Sequence, residues 1–157
     1  MADEAHHRRL EQLYAAAPVT AWFGASIGIR DGQATVRIPV RSEFYHAVGA
    51  VHGSVYFRAL DDAAFFAANS RVEDVLVLTV SFTVHFTAPA RAGELRAEGR
   101  VVHEAGRLVV AESELRDDEG RLLAKGIGTF TRSRIALTGD IGYVDPAVPA
   151  RSADADR

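Results

Sequence analysis

The sequence predicts an α+β domain in which an antiparallel sheet wraps around one long helix. Residues 53–69 form the longest apolar segment that lacks strand character, and they are compatible with a helix throughout. Strand patterns joined by short turns lie on both sides of this segment. One face of an antiparallel sheet must be covered, and the segment 53–69 is the only sufficient cover that the sequence offers.

The N-terminal elements are a short helix and a hairpin. Residues 5–17 favour a helix, and Pro18 ends it or marks the next turn. His6 and His7 are expected at a solvated end of the chain. Residues 25–39 indicate two strands joined by a turn at Asp31-Gly32. We expect one folded domain over residues 1–138, with 1–20 as its N-terminal helical segment. Residues 139–157 are rich in Gly, Pro, Asp and Ala, which predicts an extended or disordered tail.

The second half of the chain has the pattern of four strands. Between residues 78 and 87 apolar and polar residues alternate, which is typical of a half-buried strand. Three further strands are expected at 94–103, 107–116 and 121–133, because glycine-containing turns separate them. The side chains predicted for the apolar face of the first of these strands are Leu78, Val80, Phe82, Val84 and Phe86.

Composition and charge exclude several classes of protein. The chain has 157 residues, 48% of them apolar, and a net charge of −3 with its basic residues scattered. That distribution gives no sign of a nucleic-acid interface, and no apolar run approaches the roughly 20 residues needed to cross a bilayer. There is no cysteine, so disulfides and thiolate chemistry are excluded. We expect a cytoplasmic protein without nucleic-acid or membrane partners.

Two adjacent aspartates, Asp61 and Asp62, lie in the middle of the long apolar helix. A buried carboxylate costs several kcal/mol unless it is paired or used. Arg58 precedes Asp62 by four residues, a spacing that suits an ion pair and a structural role. For Asp61 two interpretations stand: a catalytic carboxylate, or a partner of Arg58 three residues away.

The stretch "GAVHGSVYFRALDDAAFFAANS", with the strand after it and "APARAGEL", resembles the PaaI-like branch of the hotdog-fold acyl-CoA thioesterases. That family carries Gly-x-x-His-Gly-Gly and a catalytic carboxylate nine residues after the histidine, which is the spacing from His52 to Asp61. The resemblance covers about residues 10–134. The chain departs from the family at Ser54, where the motif has its second glycine, and at His46, where asparagine is common.

The resemblance implies a thioesterase that hydrolyses acyl- or aryl-acyl-CoA to the free acid and CoA. Asp61 takes the catalytic carboxylate position, and Thr79 falls where relatives hydrogen-bond that carboxylate or its water. The N–H of Gly53, with that of Ser54, is expected to form the oxyanion hole at the helix N-terminus. His52 would orient the loop before the helix or donate a hydrogen bond to the carbonyl oxygen of the thioester. No cofactor is expected, since CoA is part of the substrate, and no metal-ligand spacing is present.

The acyl group would contact residues around these catalytic positions. His46 could be a substrate-side hydrogen-bonding residue or only a loop residue, and both readings stay open. The residues expected to bind substrate are His46, Ser54, Phe65 and Phe82, with Phe66 and Trp22 as further candidates for the pocket wall.

A distance argument predicts a homodimer. Gly53 and Asp61 are eight residues apart on one helix, which places them about 12 Å apart along its axis. Both can act on one thioester only if they come from different chains, so we expect shared sites in a dimer, with a dimer of dimers as a second option.

The alternative function is a non-catalytic acyl-thioester binding protein. Hotdog dehydratases carry a different histidine–carboxylate signature.

Overall fold

A computed structural model describes residues 3–147 and shows six strands in one antiparallel sheet. Across the sheet the strand order is β1-β2-β4-β5-β6-β3, so β1 and β3 form the two edges. The predicted α+β class is confirmed. The strands are β1 (Ser26–Arg30), β2 (Gln33–Pro39), β3 (Val75–Phe86), β4 (Glu94–Ala105), β5 (Leu108–Arg116) and β6 (Leu122–Ala136).

In the described part of the chain three α-helices accompany the sheet: α1 (Glu4–Ala16), α2 (Pro18–Phe23) and α3 (Gly53–Asn69). The long helix α3 has the bounds predicted from the sequence, and it packs against the sheet. Helix α1 ends at Ala16, with Ala17 extended before the proline, as predicted, and Pro18 itself is the first residue of α2, where its missing N–H costs nothing. Among residues 3–147, no helix has both the length and the apolar surface that a bilayer crossing requires.

Helix α3 lies in direct contact with the central strands because small residues line the contact. A Cβ atom at Gly99 of β4 would lie 2.2 Å from the carbonyl oxygen of Ala63, so only glycine fits there. On β5, Ser113 donates a hydrogen bond of 2.8 Å to the carbonyl oxygen of Leu60. These contacts fix the rotation of α3 about its axis, and with it the direction of Asp61 on the neighbouring face.

Strand β3 contains an extra residue, Val80. Thr79 pairs with Phe130 of β6, and Ser81 pairs with the adjacent Thr129, so Val80 has no partner and forms a β-bulge. Alternation along a strand holds only while the ladder is regular. The bulge therefore shifts the phase of β3 by one residue.

This shift changes which side chains face the helix. Thr79 and Phe82 both lie on the face that covers α3, although one is an odd and the other an even position. Leu78 and Val80 are 44% and 60% exposed. The prediction that Leu78 and Val80 share a buried face with Phe82 was wrong, because it assumed an uninterrupted ladder.

Helix α1 is held to the rest of the domain through His6. Its Nε2 donates to the carbonyl oxygen of Asn69 at 2.9 Å, and its Nδ1 accepts from the hydroxyl of Tyr143 at 2.8 Å. His6 and His7 are only 3% and 6% exposed. We expected both at a solvated end of the chain, and this was wrong: the α3 terminus and the segment after β6 enclose His6, and the His7 ring packs 5.8 Å from the His6 ring.

The segment after β6 begins with a short 3-10 helix, Gly139–Ile141. A Cβ at Gly142, whose φ is +92°, would lie 3.1 Å from Ala16, so this segment rests against the end of α1. Residues 139–147 thus follow the domain surface, while 148–157, the rest of the predicted tail, lie outside the described residues. The predicted domain end at 138 stays a prediction.

Candidate active site

Asp61 lies in the middle of α3 and faces strand β3. Thr79 Oγ1 donates a hydrogen bond of 3.1 Å to Asp61 Oδ1. Burial raises the pKa of Asp61 to about 6; the charge of Asp62 adds to this, whereas the Thr79 bond and Arg58 act in the opposite direction. A carboxylate with this pKa is ionised at neutral pH and is a much better base than an exposed aspartate.

Asp62 belongs to a different arrangement, on the side of α3 that faces α1 and α2. Arg58 Nε lies 2.7 Å from Asp62 Oδ2, and the Tyr14 hydroxyl donates to the same oxygen at 2.9 Å. Arg58 also donates to Thr20. Arg58 is therefore the partner of Asp62, as the i+4 spacing predicted. The competing interpretation, in which Arg58 pairs with Asp61, finds no such contact among residues 3–147.

The N-terminus of α3 is capped by His52. Its Nδ1 accepts from the N–H of Ser54 at 3.0 Å, so His52 is the N-cap residue. The Ser54 N–H, proposed as a second oxyanion donor, is engaged by this bond. The N–H of Gly53 has no acceptor within residues 3–147. Gly53 therefore keeps a free N–H at the positive end of the helix dipole.

Phe86, at the end of β3, covers Gly53 closely. A Cβ atom at Gly53 would lie 3.0 Å from the Phe86 ring, and the ring also stacks on Tyr56 at 6.1 Å between centroids. Phe86 itself is 59% exposed. We did not predict this contact. The sequence signal was available, since the strand ends at an aromatic residue, but the proximity of the strand end to the helix start is set by the fold.

An aromatic cluster flanks Asp61 along its helix face. Phe57 and Phe65 lie one turn before and one turn after Asp61. Phe57 contacts the Phe82 ring edge-on at 5.5 Å, and Phe65 contacts Phe130 at 6.0 Å. The structure thus places Phe65 and Phe82, two of the residues predicted to bind substrate, beside the carboxylate.

Phe82 lies flat against the sheet because β6 carries glycines beneath it. A Cβ at Gly126 or at Gly128 would lie 2.4 Å from the Phe82 ring. Two side chains at these positions would push the ring towards Phe57 and Asp61. The glycine pair therefore keeps space open next to the candidate carboxylate.

Two other candidates for the pocket wall lie elsewhere. Phe66 is buried against Tyr14 on the α1 side of the helix. Trp22 is 57% exposed and packs on Phe23, Phe44 and the Arg41 guanidinium. Phe66 reaches the cluster around Asp61 only through Phe65, whose ring it meets edge-on at 5.0 Å, and Trp22 packs on a separate set of side chains.

The predicted site residues fall into two groups within one protomer. Asp61, Thr79, Phe65 and Phe82 gather at the middle of α3, while His46, His52, Gly53 and Ser54 gather at its N-terminus. The eight residues from Gly53 to Asp61 separate the groups by about 12 Å along the helix. One protomer therefore holds two half-sites.

A cavity of about 870 Å³ lies on the outer face of β1, β2, β4 and β5, away from Asp61. Most of its charged side chains are paired, as in Arg37–Glu94, at 3.0 Å, and Arg96–Glu98, at 2.5 Å. Paired charges on the open face of a sheet are typical of a solvated surface. We therefore place the candidate site at α3 and not in this cavity. Within residues 3–147 no group of His, Asp or Glu side chains could hold a metal ion.

Comparison with known proteins agrees with this geometry. The sequence model of the Thioesterase superfamily matches residues 48–124. A protein of Saccharolobus solfataricus whose name proposes an esterase is 31% identical over 104 residues, which cover 66% of this chain and 74% of that protein.

Solved structures show the same fold. A thioesterase family protein of Silicibacter pomeroyi has a TM-score of 0.76 and 27% identity, covering 80% of this chain and 96% of that one. The PaaI protein from the phenylacetic acid degradation operon of E. coli has a TM-score of 0.77 and 22% identity, covering 86% and 100%. At that identity the second likeness concerns the fold alone.

A helix enclosed by an antiparallel sheet, with a carboxylate two turns after a capped N-terminus, defines the class of hotdog-fold thioesterases and esterases. The relatives and the family match agree with that class. The chain belongs to the Thioesterase superfamily.

The pKa of Asp61 gives a testable pH dependence. Protonation removes the base, so we expect kcat/KM to fall as the pH drops through about 6. The Thr79 bond favours the ionised form, so Thr79→Val should raise the pKa of Asp61 and move this acid limb upward by about one pH unit. Thr35→Val, on the outer face of β2, is the control and should leave the limb in place. An unchanged limb in Thr79→Val would show that Asp61 does not set it.

Proposed function

We propose that the protein is an acyl-CoA thioesterase that hydrolyses an acyl- or aryl-acyl-CoA to the free acid and CoA. The observation that carries this proposal is the Thr79–Asp61 pair, a partly buried carboxylate with a raised pKa and a hydrogen-bond donor that fixes one of its oxygens. Water is the co-reactant, and CoA enters as part of the substrate, so the reaction needs no separate cofactor.

Asp61 can act by two routes. As a general base it takes a proton from water, which attacks the carbonyl carbon while the carbon–sulfur bond breaks and CoA leaves as the thiol. As a nucleophile it attacks the carbonyl carbon itself, and water then hydrolyses the mixed anhydride. Label from ¹⁸O-labelled water that enters Asp61 in a single turnover identifies the nucleophilic route, because water that attacks the aspartyl carbonyl of the anhydride leaves its oxygen in Asp61, whereas the general-base route leaves it only in the free acid.

The free N–H of Gly53 supports the second requirement of the reaction. In either route the carbonyl oxygen becomes negative, and an N–H at a helix N-terminus stabilises that charge. Phe86 and Tyr56 cover this N-terminus with apolar surface. Reduced access of water strengthens the interaction between the N–H and the developing charge.

A homodimer would join the two half-sites. Edge strand β3 has 12 residues, carries unpaired backbone groups along its free edge, and exposes Leu78 and Val80. A second copy that covers this edge would remove both from water and could bring its own Gly53 towards Asp61. We propose two equivalent sites per dimer, each with Asp61 from one protomer and Gly53 with His52 from its partner.

Release of free thiol from a panel of acyl-CoAs tests the proposal. The panel should include short, medium and long acyl chains and aryl-acyl groups, because the apolar rings of Phe57, Phe65 and Phe82 lie beside the Asp61 carboxylate and suit either kind of acyl group. We expect hydrolysis of at least one class well above the rate without protein. Binding of CoA esters without hydrolysis would overturn the proposal that the protein is an enzyme. It would support the alternative, a non-catalytic acyl-thioester binding protein.

A further inference from the structure

His6 joins three parts of the chain that are far apart in sequence: α1, the C-terminal end of α3, and residues 139–147 after β6. Its Nε2 lies 2.9 Å from the carbonyl oxygen of Asn69, and its Nδ1 lies 2.8 Å from the Tyr143 hydroxyl. His6 is 3% exposed, and Asn69 is fully buried. A single buried ring thus links the N-terminal helix to the last described segment of the chain.

These two hydrogen bonds define the protonation state of the ring. A carbonyl oxygen can only accept, so Nε2 of His6 carries a proton. In the neutral ring Nδ1 then has no proton and accepts from the Tyr143 hydroxyl. A second proton on Nδ1 would remove the acceptor that the Tyr143 hydroxyl uses, so the contact suits the neutral ring alone.

The charged and titratable groups around His6 do not form an ion pair with it. On α1, the His7 ring lies 5.8 Å away, and Arg9 adds a positive charge. Glu73, between α3 and β3, contributes a negative charge without contacting the ring. Asp145, in the segment after β6, is bound to Arg9 at 2.7 Å. Among residues 3–147 no carboxylate contacts the His6 ring.

This environment disfavours the charged form of His6. Burial of the ring lowers its pKa below the ordinary value of 6.5. Positive charge on His7 and Arg9 acts in the same direction, whereas the hydrogen bond to Asn69 and the charge of Glu73 act against it. A proton on His6 is therefore bound more weakly when the contact is formed than when the ring is in water.

Residues 139–147 depend on His6 for their attachment. Only Gly142 and Tyr143 among them are partly buried, and the others are exposed. Besides the bond to His6, their side chains form one hydrogen bond to the rest of the described chain, the exposed ion pair of Asp145 with α1. Exposed ion pairs contribute little to stability.

Helix α1 has other contacts that hold it. The Ile29 N–H donates to Glu11 at 2.7 Å. Further along the helix, the Tyr14 hydroxyl donates to Asp62 of α3 at 2.9 Å. Loss of the contact through His6 should therefore free the segment after β6 while α1 stays on the domain.

We propose that His6 and Tyr143 form an acid-sensitive latch: neutral His6 holds residues 139–147 against α1, and protonation of His6 releases them. In the released state the ring has its ordinary pKa of 6.5, and in the closed state its pKa is lower. The latch is therefore strongest above pH 6.5 and weakens as the pH falls below that value, by at most about tenfold per pH unit. This inference is independent of the proposed thioesterase function, and its tests measure structure and not activity.

Hydrogen exchange of the full chain tests the release directly. The N–H groups of Ile141, Gly142 and Tyr143 are bonded to carbonyl oxygens of residues 138–139, and so short a turn keeps these bonds only while it is docked. Their protection factors, corrected for the intrinsic pH dependence of exchange, should fall severalfold between pH 7.5 and pH 5.5, with about tenfold as the limit for one proton. The amides of β5 should keep their protection. Equal protection of the segment at both pH values would overturn the proposal.

The variant His6→Gln separates the titration from the contact. A glutamine amide can donate to Asn69 and accept from Tyr143, but it does not titrate. We expect the protection of the segment to become independent of pH in this variant. His103→Gln, which replaces an exposed histidine on β4, is the matched control and should keep the wild-type response. A response of His6→Gln equal to that of the wild type would assign the release to another group and overturn the latch.

NMR of the wild type decides the matter if His6→Gln does not fold. In the ¹⁵N-labelled full chain at pH 8 we expect the His6 ring to carry its proton on Nε2. We expect the apparent pKa of this ring to lie below 6.5, and release of the segment to follow the same titration. A dominant Nδ1–H form at pH 8, or an apparent pKa of 6.5 or above, would overturn the proposal.

Discussion

Asp61→Asn should lower kcat by about three orders of magnitude, since the amide can neither accept a proton nor attack a carbonyl. The substitution preserves the size of the side chain, and its amide can still accept the Thr79 hydrogen bond. Substrate binding should therefore change little. The measurement is free thiol release at pH 8 on the substrate that the panel identifies.

The same variant should fold at least as stably as the wild type. The pKa of Asp61 is about 6 in the folded protein and lies near 3.8 when the chain is unfolded. Folding therefore disfavours the charged form, and the resulting penalty is absent below pH 4 and complete above pH 6. Asparagine carries no charge and removes this penalty. We expect the free energy of unfolding of Asp61→Asn at pH 8 to equal or exceed that of the wild type.

Asp62→Asn is the matched control, with the opposite expected result. Asp62 binds Arg58 and Tyr14 on the far side of the helix, and both members of the ion pair are only 16% exposed. Removing one partner leaves a partly buried Arg58 without its charge partner, which costs about 3–5 kcal/mol of stability in buried pairs. Activity per folded molecule should stay within a few fold of the wild type. Equal loss of activity in the two variants would contradict the assignment of Asp61.

The bounds of α3 and its two aspartates could be predicted because the signals are local. A capping position, apolar periodicity and the i+4 spacing of Arg58 and Asp62 all lie within the segment itself. The structure adds what separates the pair: Asp61 faces β3 and Thr79, whereas Asp62 faces α1 and Tyr14.

The bulge at Val80 could not be predicted from the alternation of β3, because a bulge is a property of two paired strands. The sequence has five apolar residues at even positions, yet the ladder with β6 skips Val80. Thr79 is an odd and Phe82 an even position, so in a regular strand their side chains would lie on opposite faces. The bulge at Val80 places both on the face that contacts the helix. It also leaves Leu78 and Val80 exposed on an edge strand.

The roles of His6, His46 and Ser54 depend on contacts that the sequence does not show. His6 is buried only because residue 143, 137 positions away, returns to α1. Ser54 and His52 are only two residues apart in the sequence, but the hydrogen bond between their side chains forms only when the His52 ring turns towards the helix. Sequence reasoning could identify His46 and Ser54 as departures from the family motif, but it could not place His6, and the structure shows what each of the three contacts.

A mixture of Asp61→Asn and Gly53→Pro protomers should regain activity that neither variant has alone. A hybrid dimer contains one site built from Asp61 of one protomer and the Gly53 N–H of the other, and one site that lacks both. Half of the dimers in an equimolar mixture are hybrids, and half of their sites are intact, so activity should reach about a quarter of the wild-type value. A site contained in one chain would regain nothing.

Gly53→Pro is suited to this test because it removes the N–H with little other damage. Gly53 is the first residue of α3, where proline is favourable, and His52 already has the extended backbone (φ −65°, ψ 142°) that a following proline requires. Its ring would contact Phe86, which is largely exposed and can move aside. Mass spectrometry of differently labelled protomers must first show that hybrids form. Hybrid dimers without recovered activity would contradict a site shared between protomers.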